Sequence, residues 1–483
     1  MSYRKAPTAG TIGPQHADTV SDLEHIPWSI WGQAVIIVLG AFSSMLSSTI
    51  VNLALAAIAS DLDASPTATQ WIATGYLLAL SAGVPLSSWA AKRIGSTRLW
   101  LGSLALFSIF SIWCALSTTL PILIVGRVLQ GLAGGLLVPA GQTILAVVAG
   151  RGRLGRIMSV VGIAIVVAPT LGTTLGSVVL DRLGWTSVFL INVPLGAVAL
   201  IAGALWLPKV QAGIAGRLDW FGLLLVMTGV PLLIYGVSAA GKGGGLGRVH
   251  DMVSLAAGAA LLVLFLLWTL RVSEPVLNLK LFTSSRFSLA AGIIFVGGAL
   301  NFGALLLLPY YFVDVRGETS AAAGLLIAPQ IVGTAIGFPF AGRISDRYGS
   351  GLLLLGGGAL TVLATLPLAL VALDANYWWL GTVLLVRGFG MALCTIPAMT
   401  AGLARIGPAE IPDAMAIMNM LQRTGASIGI ALVAILYGAN TSSALTAEGF
   451  ASAFTHAAWW LFAGALLLSL LSAFYRRAER ASA

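Results

Sequence analysis

Charged residues are scarce in this chain. Only 9% of its 483 residues are Asp, Glu, Lys or Arg, whereas 58% are apolar. A soluble chain carries about a quarter charged residues, so this one lacks the side chains needed to cover a water-facing surface. The composition excludes a soluble globular protein and predicts a polytopic membrane protein.

Cysteine and histidine are also rare. Cys114 and Cys394 both lie in apolar runs, so they suggest neither a disulfide nor a metal framework. None of the four histidines falls in the middle of an apolar run, and no nucleophile–base pair, zinc signature or paired carboxylate is visible. We therefore expect no enzyme activity, no cofactor and no metal. The first 27 residues lack the features of a signal peptide and are expected to form a cytoplasmic tail.

Apolar runs long enough to cross a bilayer as helices recur along the chain. Fourteen are predicted, approximately over 28–56, 70–91, 99–117, 121–148, 157–180, 186–207, 219–238, 251–271, 287–313, 320–342, 351–373, 377–404, 412–438 and 454–475. With an even number of spans, both termini share one side. On that side lie 19 of the 26 Lys and Arg residues, and the opposite loops hold four. This asymmetry places both termini in the cytoplasm of a plasma (inner) membrane protein, and it explains the net charge of +9 without nucleic acid.

An internal repeat divides the chain. "KRIGSTR" follows helix 2 and "SDRYGSG" follows helix 10, while Arg127 lies in helix 4 and Arg387 in helix 12. Helices 1–6 and 9–14 thus form two parallel copies of one unit, with helices 7 and 8 inserted. The expected organisation is a tail (1–27), a six-helix bundle (28–208), two inserted helices (209–272), a second six-helix bundle (273–478) and a short tail (479–483).

Several motifs in order carry a family resemblance. They are "STIVNLAL" in helix 1, "GRVLQGLAGGLLVP" in helix 4, "APTLGTTLG" in helix 5, "WTSVFLINVPLG" at helix 6, "RLDWFG" before helix 7 and "AGRISDRYGSG" after helix 10. The chain resembles the fourteen-helix drug/proton antiporters of the major facilitator superfamily. The resemblance implies an all-α fold of two six-helix bundles, alternating access, and export of a small-molecule substrate by a monomer in contact with membrane lipid, with protons as the coupling ion.

Candidate site residues follow from these motifs and from polar residues within the spans. Those expected to couple protons or bear charge are Arg127, Gln130, Arg387 and Arg423. Those expected to face the substrate cavity are Ser47, Asn52, Asn301, Gln330, Asn419 and Gln422; a lone polar residue can equally hold two helices together. A conformational latch is implied at Lys92, Arg93, Gly95, Asp346, Arg347 and Gly349, and close helix packing at Gly162, Pro169, Gly172 and Gly176.

A carboxylate is missing where the family has one. Helix 1 has Ser47 at the usual Asp position, and all 17 acidic residues fall in loops, tails or span edges. Lys92 likewise occupies an acidic position of the first latch, which predicts that this latch is rewired or weak. Serine cannot titrate, and arginine stays protonated. Three arginines within spans and no acid beside them predict a positive cavity, which favours an anionic substrate.

Three interpretations remain open. The first is a proton-coupled exporter that titrates the substrate or a peripheral acid such as Asp219, Asp314 or Asp413. The second is a transporter without the helix 1 proton site, which moves an anionic or amphiphilic compound by facilitated flux or exchange. The third is a sensor or scaffold that does not transport; the intact motif around Arg127 and the "DRYG" sequence argue against it.

Overall fold

A computed structural model describes residues 26–150, 152–210, 212–213, 216–242, 249–371, 375–441 and 446–481. Residues 1–25 of the first predicted tail and 482–483 of the second lie outside these ranges. Within them the chain is helical and contains no strand. The helices are α1 (Trp28–Asp61), α2 (Pro66–Ile94), α3 (Ser96–Ala115), α4 (Leu120–Ala149), α5 (Leu154–Leu183), α6 (Trp185–Leu190 and Asn192–Trp206), α7 (Trp220–Lys242), α8 (Val249–Thr269), α9 (Ser285–Tyr310), α10 (Ser320–Tyr348), α11 (Ser350–Ala369), α12 (Tyr377–Leu403), α13 (Ile411–Thr441) and α14 (Ala447–Arg480).

Each of the fourteen predicted spans coincides with one of these helices. Among the described residues, thirteen helices are long and apolar enough to cross a membrane, and the remaining span corresponds to α5. Two details differ from the prediction. Ile191 interrupts α6, and a π-helical turn over Tyr311–Val315 continues α9. The helical fold class is confirmed.

The helices pack as two copies of one arrangement. In the first copy α2 lies against α4, α1 against α5, and α3 against α4 and α6. In the second copy the equivalent pairs, eight helices further along, are α10 with α12, α9 with α13, and α11 with α12 and α14. Helices α7 and α8 pack on each other, and α7 also contacts α2 and α13. The inserted pair therefore lies beside the two bundles and does not extend either of them.

Glycines end the equivalent helices α2 and α10. Gly95 and Gly349 have φ of +87° and +82°, a region that residues with a side chain rarely adopt. Each donates its backbone N–H into the last turn, to Ala91 and Ser345 respectively. The chain can therefore reverse directly into α3 and α11. We call the end of the molecule that carries these turns and most of the basic residues the Arg-rich end.

The two bundles meet through α5 against α10, α2 against α13 and α4 against α13. The α5–α10 contact is closest at the Arg-rich end, where Gly155 and Gly342 face each other. A Cβ on Gly155 would lie 2.7 Å from the carbonyl oxygen of Gly342, and a Cβ on Gly342 would lie 2.5 Å from that of Gly155. Only glycine fits both positions, so these residues set how closely the bundles approach.

Candidate transport site

Arg127 lies at the centre of a polar network inside the first bundle, and its side chain is fully buried. Its Nη1 donates to Gln130 Oε1 at 2.7 Å and to Ser47 Oγ at 2.9 Å. Its Nε and Nη2 donate to the backbone oxygens of Ile72 and Ser47. The guanidinium also lies 3.9 Å from the ring centre of Tyr76. Helices α1, α2 and α4 thus bind one cation without a carboxylate.

The network continues to helices α3 and α6. Gln130 Nε2 donates to Ser111 Oγ at 2.8 Å, and Ser111 in turn donates to the backbone oxygen of Phe189 at 3.0 Å. Asn192 Nδ2 lies 3.3 Å from the same Ser111 hydroxyl. Hydrogen bonding of this extent stabilises the charged group in an apolar interior, where an unsatisfied donor costs several kcal/mol.

Arg387 occupies the equivalent place in the second bundle and is also fully buried. It donates to Gln330 Oε1 at 2.9 Å, to the backbone oxygen of Leu300 at 2.9 Å and to Thr365 Oγ1 at 3.3 Å. The glutamine partner Gln330 comes from a different helix, α10, whereas Gln130 shares α4 with Arg127. The two halves therefore bind equivalent arginines with the same kind of group, supplied from different helices.

The main cavity has a volume of about 380 Å³ and lies between α5 and the second bundle. Its polar lining residues are Asn301, Gln330, Thr334, Thr395 and Gln422. Neither Arg127 nor Arg387 lines it, and none of the described residues that line it is charged. This differs from the positive cavity expected from the sequence. The physical reason is that each bundle encloses its own arginine, and mid-span depth does not determine which way a side chain points.

Arg423 is the third arginine within a span. It lies on α13, is only partly exposed, and has no hydrogen-bond acceptor or ion-pair partner among the described residues. It is close enough to the Tyr76 hydroxyl of the first bundle for an electrostatic interaction. It is not one of the residues that line the 380 Å³ cavity. The guanidinium therefore lies at the contact between the bundles.

The six residues expected to face the substrate have three different locations. Asn301, Gln330 and Gln422 line the main cavity. Ser47 is buried against Arg127, and Asn52 is exposed on α1. Asn419 donates to Gln142 Oε1 at 2.6 Å, and with Gln142 it lines a second, smaller cavity of about 40 Å³. This hydrogen bond joins α13 to α4, and therefore joins the two bundles.

Asp346 connects the bundles at the Arg-rich end. Its carboxylate accepts hydrogen bonds from the backbone N–H of Gly155 at 2.7 Å and of Arg156 at 3.0 Å, and from Arg156 Nε at 3.1 Å. The two amides belong to the first turn of α5, where they have no partner within the helix. An anion is favoured at that position. The last turn of α10 is thus held to the start of α5.

Lys92 and Asp413 form the equivalent contact on the other side of the bundle interface. The Lys92 ammonium contacts one carboxylate oxygen of Asp413, and the Ser88 hydroxyl donates to the other. Asp413, in the first turn of α13, is fully buried. Compared with the contact between Asp346 and Arg156, the two charges are exchanged. At the α5–α10 contact the acid lies at the end of α10 and the base at the start of α5. Here the base lies at the end of α2 and the acid at the start of α13.

The remaining latch and packing predictions concern two arginines and four residues of α5. Arg93 and Arg347 are exposed, and the Cζ atom of Arg347 lies 5.4 Å from the ring centre of Tyr348. On α5, a Cβ on Gly172 or Gly176 would meet side chains of α1, whereas one on Gly162 would meet Phe338 of α10 at 3.0 Å. The side chain of Pro169 lies outside the described ones. The described glycines of α5 thus pack against α1 and against the second bundle.

Sequence reasoning missed several residues of these contacts. They are Tyr76, Ser88, Gln142, Gly155, Arg156 and Gly342. The repeat contained a signal for Arg156 and Asp413, because both open the equivalent helices α5 and α13. The other two peripheral acids considered from the sequence, Asp219 and Asp314, form hydrogen bonds within one part of the fold and do not join the two bundles. Asp219 caps the start of α7 through Gly222 N–H at 2.8 Å, and Asp314 accepts from the Tyr437 hydroxyl at 2.7 Å.

Comparison with known proteins agrees with this architecture. The family model "Major Facilitator Superfamily" matches residues 37–430. The chain is 33% identical over 406 residues to the Multidrug resistance protein B homolog of Mycobacterium tuberculosis, covering 83% of this chain and 75% of the relative. It is 28% identical over 412 residues to the Lincomycin resistance protein LmrB of Listeria innocua, covering 85% and 87%.

A solved structure shows the same fold at low sequence identity. The human organic anion transporter MFSD10 (TETRAN) superposes with a TM-score of 0.63 at 14% identity, covering 93% of this chain and 100% of that one. Identity this low supports the fold alone. The family match over most of the chain supports more: the chain belongs to the Major Facilitator Superfamily and is a multi-pass membrane transporter, not an enzyme.

Proposed function

We propose that this protein exports amphiphilic small molecules across the plasma membrane by alternating access. The observation that carries this is the position of the contacts between the bundles. Asp346, Asp413 and Asn419 all bridge the bundles at or toward the Arg-rich end. The main cavity is lined by α9 from Ile293 to Pro309, a helix that begins at that end with Ser285, and by α10 from Gly324 to Phe338. The cavity thus lies farther from the Arg-rich end than these contacts do.

The direction of transport follows from charge and from relatives. Basic residues concentrate on the cytoplasmic side of membrane proteins, which makes the Arg-rich end cytoplasmic and puts both termini there. The conformation described here is then closed to the cytoplasm. Two of the relatives are named as resistance proteins, and resistance by transport requires that the compound leave the cell. Export therefore agrees better than uptake with both lines of support.

For coupling we propose Asp413 as the proton-exchanging acid. Of the three peripheral acids considered from the sequence, it alone bridges the two bundles, where it contacts Lys92 and Ser88. Protonation would neutralise the carboxylate, release Lys92 and allow the cytoplasmic end to open. Loss of the proton to the cytoplasm would restore the ion pair and close that end again. One acid would then couple proton movement to the conformational change.

A second candidate function is transport without proton coupling. It is supported by Ser47, which occupies the usual carboxylate position. Its hydroxyl accepts a hydrogen bond from Arg127 but cannot exchange a proton as a carboxylate would. In this alternative Asp413 only holds the closed state, and the substrate moves down its own gradient or by exchange. The two candidates agree on the substrate path and differ in how flux responds to a pH gradient.

Proteoliposomes containing the full-length protein distinguish the candidates. With proton coupling, an imposed pH gradient accelerates uphill transport of a fluorescent amphiphile in the wild type, and Asp413→Asn abolishes that response while downhill flux persists. Asp314→Asn is the matched control, because it removes an acid that bonds only within the second bundle. Wild-type flux that ignores the gradient contradicts coupling and supports facilitated flux or exchange. Absence of any flux in either direction contradicts the transport proposal.

A further inference from the structure

Among the side chains that the structure describes, none that lines the main cavity could neutralise a cationic ligand. Its lining is mostly apolar, and its polar side chains are amides and hydroxyls. A cation moved from water into such a site loses hydration and gains no ion pair. The fully buried Arg387 lies directly behind Gln330 and makes the potential there more positive. A lipophilic cation is therefore disfavoured, although apolar surface is available to bind its hydrophobic part.

Gln330 has a fixed orientation. A guanidinium has only donors, so the atom 2.9 Å from Arg387 Nη1 must be the carboxamide oxygen of Gln330. The amide nitrogen then points away from Arg387. It has no hydrogen-bond acceptor among the described residues. The Gln330 side chain is nevertheless only 4% exposed and forms part of the cavity wall. An N–H donor without a protein acceptor in the described part of the chain is thus presented to the cavity.

The bond to Arg387 strengthens this donor. Accepting a hydrogen bond from a cation draws electron density toward the amide oxygen, and polarisation along such a chain strengthens the next bond by about 10–30%. Two other bonds, to Leu300 and Thr365, hold the guanidinium in place. The donor is therefore both oriented and polarised before any ligand arrives, which reduces the entropic cost of binding.

We propose that Gln330 Nε2 is the recognition point for a carbonyl or carboxylate oxygen of the transported compound. The substrate class is an amphiphile that carries such an oxygen on an apolar body, and lipophilic cations are excluded. This rests on the proposed transport function and adds the chemistry that the cavity selects. Asn301, which lines the same cavity, supplies an adaptable polar contact near the fixed donor.

Gln330→Glu tests the donor in isolation. Glutamate keeps the shape of the side chain and an oxygen for Arg387, but removes the N–H donor. Equilibrium binding to the purified full-length protein is measured by scintillation proximity with three radiolabelled probes: N-phenyloctanamide, 8-phenyloctanoate and tetraphenylphosphonium. We expect the wild type to bind the amide, the carboxylate or both more tightly than the cation. In Gln330→Glu, affinity for the oxygen-bearing probes falls about tenfold, the scale of one hydrogen bond to a polarised group.

Gln422→Glu is the control for added charge. It places a carboxylate in the same cavity and leaves the Gln330 and Arg387 side chains themselves unchanged. We expect the amide probe to lose less than about threefold there, because its donor remains. Equal losses in both variants, unchanged amide binding in Gln330→Glu, or tighter wild-type binding of the cation would overturn the proposal. The two oxygen-bearing probes separate an uncharged substrate from an anionic one.

Flux measurements keep this inference separate from the proposed function. Binding that follows the Gln330 donor, combined with no flux of the same probe in proteoliposomes, contradicts export and supports the recognition site. Flux of tetraphenylphosphonium that survives in Gln330→Glu supports a transporter and contradicts the recognition site. The thermal stability of Gln330→Glu is expected to equal or exceed that of the wild type, since Arg387 gains an anionic partner. This checks that lost binding does not reflect misfolding.

Discussion

The ammonium of Lys92 contacts the carboxylate of Asp413 across the interface between the two bundles. The equivalent contact on the other side joins Asp346 to Arg156, with an Nε–Oδ2 distance of 3.1 Å and the charges exchanged between the helices. The helix dipoles favour this arrangement. Lys92 is a cation in the last turn of α2, and Asp413 is an anion in the first turn of α13, so each charge is opposite to the partial charge of its helix end. The helix dipoles therefore stabilise the exchanged arrangement of charges.

Reversing the charges of this pair should identify it as a latch. Lys92→Glu places two carboxylates together, and Asp413→Lys places two ammonium groups together. Each single variant should lower transport about tenfold or more, because an unpaired buried charge costs roughly 3–5 kcal/mol. The double variant should recover part of the activity, since the pair is restored. Flux in proteoliposomes measures this.

Arg93→Glu is the control for that experiment. It makes the same change of charge one residue away, on an exposed side chain. We expect nearly normal flux from it. If the double reversal transports no better than the worse single variant, the pair does not act as a unit.

The glycine contact between α5 and α10 should control closure. Gly155→Ala introduces a methyl group 2.7 Å from the Gly342 carbonyl oxygen, so the helices must separate. Overpacking of this kind typically costs 1–3 kcal/mol, enough to shift a balanced conformational equilibrium about tenfold toward the state open at the Arg-rich end. Distances between spin labels on α2 and α13 at that end would measure the shift. Gly356→Ala on α11 has no atom within 4 Å of the added Cβ and should leave the distances unchanged.

Arg127 should be important for the stability of the first bundle. Arg127→Ala leaves Gln130, Ser47 and the carbonyl of Ile72 without their donor. Each unsatisfied buried polar group costs about 1–3 kcal/mol. We expect a clear fall in the unfolding temperature of the purified protein. The unfolding temperature of Arg127→Lys should lie between those of the wild type and Arg127→Ala, because an ammonium cannot reproduce the planar guanidinium fork. An Arg127→Ala protein that unfolds like the wild type would contradict this.

The hydrogen bond between Gln142 and Asn419 should contribute to closure from inside the bundle interface. A double-mutant cycle with Gln142→Leu and Asn419→Leu should give a coupling energy of about 0.5–1.5 kcal/mol. The measurement is the fraction of molecules closed at the Arg-rich end, from the same spin-label distances. Additive single effects would show that the two side chains act independently.

The sequence determined the class, the span count and the repeat. These depend on properties that each segment carries alone: its apolar length, its flanking charges and the glycines that end α2 and α10. The sequence also placed Arg127 and Arg387 at equivalent positions, because the motif around each is local. The absence of acids from the spans was likewise visible in the printed residues.

Tertiary structure decided which of these residues meet. Arg127 and Arg387 lie within spans, yet each is enclosed by its own bundle and neither faces the main cavity. Lys92 finds its acid 321 positions along the chain, in Asp413, and Gln330 shows its donor to the cavity only because Arg387 holds its oxygen. Such contacts depend on the rotation and approach of distant helices. Local periodicity does not specify those quantities, because one polar residue on a helix can face lipid, a neighbouring helix or the cavity.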